Sequence, residues 1–130
     1  MILDTDVLID LMERQPSAVE KLSALVHRNT PLTITTPSIF ELFTGLAQST
    51  KPVAELEKIH RVLHQQPRWP LDDSSAERAG RIHGDLVRRN EPIGSVDAMI
   101  AGIALQHQEP VLTRNVKHFS RVSGLKIETY

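Results

Sequence analysis

Short aliphatic runs alternate with segments whose apolar residues recur at helical spacing, and this constrains the fold more than any other feature of the chain. Ile2-Leu3, Leu32–Thr35, Pro110–Thr113 and Leu125–Thr129 read as strands, and Pro67–Leu71 as a shorter extended piece. Between them lie amphipathic stretches. Val7, Leu8, Leu11 and Met12 define a first helix that stops at Gln15-Pro16, and Ser17 is placed to cap a second helix carrying Leu22, Leu25 and Val26. Thr36 followed by Pro37 predicts an N-cap and an N1 proline for a third helix striped by Ile39, Leu42, Phe43 and Leu46. A fourth is expected over about 52–65, a fifth from Ser74 or Ser75 to near Asn90 with Asp72-Asp73 at its entry, and a sixth from Gly94-Ser95. Strands separated by helices in this way predict an α/β fold, a parallel sheet in a three-layer sandwich. The 130 residues, without repeat, linker or low-complexity tract, are expected to form a single domain over 1–130.

Composition fits that layout and removes several function classes. With one Trp, one Tyr and three Phe, the core has to be built from Leu, Ile, Val and Ala, which suits helices on a buried parallel sheet. A net charge of -1 argues against holding nucleic acid by a general basic surface, although a few phosphates can still be gripped locally. The absence of Cys removes disulfides, thiolate metal sites and a Cys nucleophile. No apolar run approaches the roughly 18 residues of a membrane span, and no basic lead precedes the acid at position 4, so a cytoplasmic protein without membrane attachment is expected.

Against this background three acids stand out. Asp4, Glu41 and Asp97 each sit where a short apolar run enters a predicted helix: Met1–Leu8, Ser38–Phe43 and Ile93–Ile103. A desolvated carboxylate is costly unless it is paired or holds a cation. In open α/β sheets the functional crevice lies beyond the carboxyl ends of the strands, where Asp4 and Thr113–Asn115 would adjoin if their strands are neighbours. Asp97 falls in the first turn of its helix, where the dipole favours negative charge and predicts a low pKa. Around it Ala98, Ala101 and Gly102 permit close packing on the sheet. Oxygen donors without His or Cys suit a hard cation such as Mg²⁺ or Mn²⁺, which meets phosphate oxygens and activates water, so phosphodiester hydrolysis is the natural reaction class. Taken singly, Asp4 reads as a helix cap, Asp97 as a dipole-favoured acid and Glu41 as a solvated helix residue; only the joint pattern points to one site.

Four ordered motifs, Leu3–Ile9, Pro37–Leu42, Ile93–Gly102 and Leu112–Phe119, together resemble PIN-domain ribonucleases of the VapC toxin type over essentially the whole chain. The resemblance implies a five-stranded parallel sheet of order 3-2-1-4-5 and a Mg²⁺-dependent endoribonuclease with Mn²⁺ as a possible substitute. It also implies a homodimer, inhibited by a small cognate antitoxin. By position Asp4, Glu41 and Asp97 match the family's metal-binding acids, and Asn115 its polar residue. His118 stands where many relatives carry an acid, which favours one firmly held ion over two. Asp6 stands where Asn or Ser is commoner, either tightening the ion or capping the first helix. Arg114, Lys117, His118 and Arg121 surround the fourth motif as candidate phosphate contacts or as a solvated face. His83 reads as a packed core histidine and Trp69 as a sheet-edge or subunit contact.

Two rival readings stay open at this stage. Asp4-Thr5-Asp6 also resembles the opening of haloacid-dehalogenase-type phosphatases, but Leu8 stands where those carry Thr or Val, and their late acidic pair after a Lys is missing. The other rival is a PIN-fold module that binds RNA or protein without cleaving it, a reading that His118 and Asp6 favour and the acidic trio opposes.

Overall fold

The computed structural model describes residues 1–130 as alternating strands and helices. In chain order these are β1 (Ile2–Leu3), α1 (Thr5–Met12), α2 (Pro16–His27), β2 (Ile34–Thr35), α3 (Thr36–Ala47), α4 (Pro52–Leu63), β3 (Arg68–Trp69), α5 (Asp73–Arg88), α6 (Ser95–His107), β4 (Val111–Leu112), α7 (Val116–Phe119) and β5 (Ile127–Glu128). Every strand pairing is parallel.

Strand order differs in continuity from the single five-stranded sheet expected. β1, β4 and β5 form one sheet in the order β1-β4-β5, and β2 pairs with β3 in another. One parallel bridge, Ile2 to Thr33, joins them. At that bridge the Leu3 amide donates to the Thr33 carbonyl at 2.9 Å and the Thr33 amide to the Met1 carbonyl at 3.0 Å. The ladder stops there for a local reason: beyond this bridge β1 turns into α1 at Asp4, and β2 turns into α3 at Thr35.

The strands sort the core into two halves. Successive residues of a strand face opposite sides, so Leu3 and Leu112 join Val7, Leu8, Leu25, Leu42 and Ile59 in one buried cluster. Ile2 and Val111 join Leu86, Ile93, Ile100, Ile103 and Phe119 in the other. Residues from α1 to α4 thus pack on one face, and residues from α5 to α7 on the other. Burial of these aliphatic side chains at about 25 cal/mol per Å² is the main force holding the layers together.

Several helix ends fall one residue from where the sequence places them. Pro16 is the first residue of α2, so the Gln15-Pro16 pair starts that helix as well as ending α1, and Ser17 is not the cap. The cap of α3 is Thr35, which makes no side-chain capping bond; Thr36 is already helical, and its hydroxyl accepts from the Leu71 amide. At α5 the entry chemistry is as read: Asp72 Oδ1 accepts from the Ser75 amide and Ser75 Oγ from the Asp72 amide, a reciprocal capping box. Asn90 adopts the left-handed conformation just past α5, with φ 58°. Trp69 stacks on His107 with ring centroids 3.8 Å apart, and His83 is half-buried.

Gly102 serves a different neighbour from the one expected. A Cβ there would lie 2.7 Å from the Ser75 carbonyl oxygen and 2.9 Å from the Ala79 amide nitrogen, so the missing side chain lets α6 close on α5 and not on the sheet. The obstructing atoms are backbone or the Ala79 Cβ and cannot rotate away. Gly102→Ala is therefore expected to destabilise the protein by about 2–3 kcal/mol, read as a lower midpoint in urea unfolding. An unchanged midpoint would show that the α5–α6 contact is looser than described.

Candidate active site

Asp4 is the last residue before α1 and its N-cap, in extended conformation and only 4% exposed. Its position at the end of a central strand forces burial, and its two oxygens are held separately. Oδ1 accepts from the Thr5 amide at 2.8 Å, and Oδ2 accepts from the Thr113 hydroxyl at 2.7 Å. Thr113 follows β4, which pairs with β1, so strand adjacency delivers this contact across 109 residues of sequence. The expected meeting of Asp4 with the end of the fourth strand is what the structure shows.

Glu41 reaches the same place from α3. The buried Thr5 hydroxyl donates to Glu41 Oε1 at 2.5 Å, and Thr5 Oγ1 also lies 2.9 Å from Ser38 Oγ. Asp97, in the first turn of α6, meets the loop after β4: Asn115 Nδ2 donates to Asp97 Oδ2 at 3.2 Å. The Asn115 amide in turn donates to Thr113 Oγ1 at 2.8 Å, closing a path back to Asp4. His118, on the single turn of α7, places Nδ1 2.8 Å from Asn115 Nδ2 and 3.1 Å from Asp97 Oδ2. Asp4, Glu41, Asp97 and Asn115 are thus brought together, with His118 beside them.

Asp6 does not cap α1. Its Oδ2 accepts from the Arg114 amide at 3.0 Å, while Oδ1 is buried with no hydrogen-bond partner. It is the fourth carboxylate of the cluster. Sequence reading also passed over Thr5 and Thr113, whose hydroxyls hold Glu41 and Asp4. The available signal was positional: each flanks an acid or the loop predicted to face one.

Burial and crowding in this crevice raise the proton affinity of Asp4, Glu41 and Asp97. Burial, reinforced by the charge of Asp6, pushes Asp4 up to about 8, against the hydrogen bond from Thr113. Burial also raises Glu41, opposed by the Thr5 hydroxyl and reinforced by Asp97 and Asp6. Asp97 is raised as well, chiefly by burial and against its contact with His118. This corrects the low pKa expected from its first-turn position: desolvation outweighs the helix dipole, whose effect amounts to roughly 0.3–1 kcal/mol at exposed sites.

These observations also test the donor set for a divalent cation. No group of three or more acidic, histidine or cysteine side chains is arranged to hold an ion as it stands, the oxygens being turned toward Thr5, Thr113, Asn115 and His118. The chemistry nevertheless fits. The carboxylates repel one another, one buried oxygen of Asp6 is unmatched, and a cation among them would relieve both costs.

A PIN domain family model matches residues 1–125. The tRNA(fMet)-specific endonuclease VapC of Shigella flexneri is 29% identical over 129 residues, covering 99% of this chain and 96% of its own. Ribonuclease VapC19 of Mycobacterium tuberculosis is 30% identical, with 96% of each chain covered. Among solved structures, DNA-bound VapBC from Salmonella typhimurium superposes with a TM-score of 0.86 at 26% identity, covering 98% of this chain and 96% of that one. The chain belongs to the PIN-domain family, a nuclease hydrolase fold, and its curated relatives are VapC ribonucleases.

Proposed function

We propose that this protein is a Mg²⁺-dependent endoribonuclease, the toxin of a toxin-antitoxin pair. One observation carries the reading. Carboxylates from three separated segments, at β1–α1, α3 and α6, are gathered into one hydrogen-bonded crevice at the end of the parallel strands. Nothing in core packing requires that arrangement, and a bound cation would offset its electrostatic cost.

Asp4, Asp97 and Glu41 would hold the ion, with Asp6 close enough to add charge. When bound, a divalent cation such as Mg²⁺ or Mn²⁺ supplies an activated water and offsets negative charge on a phosphoryl oxygen. The chain's own groups do the rest. Thr113 fixes one oxygen of Asp4, Thr5 fixes one of Glu41, and Asn115 orients Asp97 or a substrate phosphate. Water attacks phosphorus in line, the 3′ oxygen departs, and the products carry 5′-phosphate and 3′-hydroxyl ends. No covalent intermediate is required. A single-stranded or loop RNA is the expected substrate, because its bases are open to be read.

The rest of the reading follows from the family resemblance. The two sheets, joined at the Ile2–Thr33 bridge, would together give the strand order 3-2-1-4-5 within a single domain, and the protein would work in the cytoplasm as a homodimer silenced by a cognate antitoxin. No helix is long and apolar enough to cross a membrane. End-group analysis of cleaved RNA tests the chemistry: 5′-phosphate and 3′-hydroxyl ends are expected, and 2′,3′-cyclic ends would contradict it.

Thr113→Val leaves the carboxylates in place but removes the hydroxyl that orients Asp4. Loss of such an orienting partner is expected to weaken metal affinity by about 10–100-fold. A Mg²⁺ titration of RNA cleavage checks this, and a variant with unchanged Mg²⁺ dependence would remove Thr113 from the site.

A further inference from the structure

Arg114 lies two residues past β4, and its amide is tied to Asp6. Its side chain does not turn into the acid cluster. It runs beside α1 to Asp10, one helical turn past Asp6, where Nε meets Asp10 Oδ2 at 2.6 Å. Tyr130, two residues beyond β5, donates its hydroxyl to that same oxygen at 2.6 Å. The anchor is partly buried and the cation is exposed: the Asp10 side chain is 13% exposed and that of Arg114 52%.

This arrangement holds a cation in place while leaving part of it free. A guanidinium has more N–H donors than Asp10 takes, and its planar fork matches phosphate oxygens. A half-exposed ion pair of this kind adds little to stability by itself. What it does is fix an otherwise flexible side chain beside four carboxylates that would repel a polyanion. One turn of α1, about 5.4 Å, is comparable to the spacing of neighbouring phosphates along a strand.

We propose that Arg114, pre-oriented by Asp10 and Tyr130, forms a subsite for the RNA phosphate next to the scissile one. The proposal rests on the ribonuclease reading above. Arg114 contacts substrate; Asp10 and Tyr130 are positioning residues that act through it.

The test is binding of a labelled single-stranded RNA to the full chain in a cleavage-silent Asp97→Asn background, measured over a series of salt concentrations. Arg114→Gln is expected to weaken binding about tenfold and to reduce the slope of log affinity against log salt by about 0.7, the value of one phosphate contact on a single strand. Arg114→Lys keeps the slope and loses part of the affinity. Tyr130→Phe also keeps the slope, because no charge is lost, while affinity falls about threefold. Thermal melts follow folding, and the Lys and Phe variants carry the test if the Gln variant unfolds. RNA binding with unchanged affinity and slope in Arg114→Gln overturns the subsite alone. Absence of any RNA binding in the Asp97→Asn background overturns the ribonuclease reading, and the subsite with it.

Discussion

In metal-free protein, Asp4→Asn is expected to raise stability at pH 9 by several kcal/mol and to have almost no effect at pH 4. The folded pKa of Asp4 is raised to about 8 from an ordinary 3.8, because its carboxylate is buried beside Asp6. Between those values the native state keeps a proton that the unfolded chain has released. The stability of the parent therefore falls as pH rises from about 4 and levels off above about 8. A shift of that size corresponds to about 6 kcal/mol as an upper bound. Asn is neutral at every pH and keeps the contacts: its oxygen can accept from the Thr5 amide, and its NH₂ can face the Thr113 oxygen. The melting temperature of the variant at pH 9 should exceed that of the parent by about 10 °C. Saturating Mg²⁺ should narrow the gap by stabilising the parent alone. A parent whose stability is flat between pH 4 and 8, or a variant less stable than the parent throughout, would show that Asp4 carries no such burden.

Asp97→Asn is expected to lower RNA cleavage by about 10³-fold or more while leaving the fold intact. The substitution removes one negative charge and keeps the shape, so Asn115 and His118 retain a neighbour to bond. A thousandfold loss is about 4 kcal/mol of transition-state stabilisation, within what a divalent ion contributes when it offsets charge on a phosphoryl oxygen. If Asp97 were only a dipole-favoured acid of α6, the same change would cost a few tenths of a kcal/mol in stability and nothing in rate. Single-turnover cleavage measured beside circular dichroism separates the two roles. Full activity in the variant would place the reaction elsewhere.

Much of this arrangement was legible in the residues, for a physical reason. Strands buried on both faces need unbroken aliphatic pairs, and amphipathic helices need a period near 3.6, so Ile2-Leu3, Val111-Leu112 and the helices between them announce themselves. What local pattern does not encode is how far a ladder runs. The sheet breaks into three and two strands because Asp4 and Thr35 start helices, and that follows from the crossing of two turns. Gly102 was visible as a close-approach residue, but the partner it admits, α5, is set by tertiary packing. The single turn of α7 is too short for any periodicity to reveal.

The acids were legible because charge is conspicuous next to Leu3, Phe40 and Val96. Their supporting hydroxyls were not. Thr5 and Thr113 look like ordinary β-branched residues until strand pairing sets Thr113 against Asp4 and helix entry aims Thr5 at Glu41. Of the two roles open to Asp6, capping α1 is excluded because the cap position belongs to Asp4, and Asp6 is a fourth carboxylate of the crevice. The pKa of Asp97 was misjudged because a helix position is visible in sequence, whereas desolvation depends on everything packed around it.

The central claim, that these carboxylates form a cation-dependent phosphodiesterase site acting on RNA, is tested most directly by incubating the purified, antitoxin-free protein with a panel of labelled single-stranded RNAs in Mg²⁺, Mn²⁺ or EDTA. Cleavage with either metal, none in EDTA, and recovery when excess Mg²⁺ is restored is the expected result. Cleavage undiminished by EDTA, or silence on every RNA with metal present and no inhibitor bound, would contradict it; the second outcome would leave a PIN-fold module that binds without cutting.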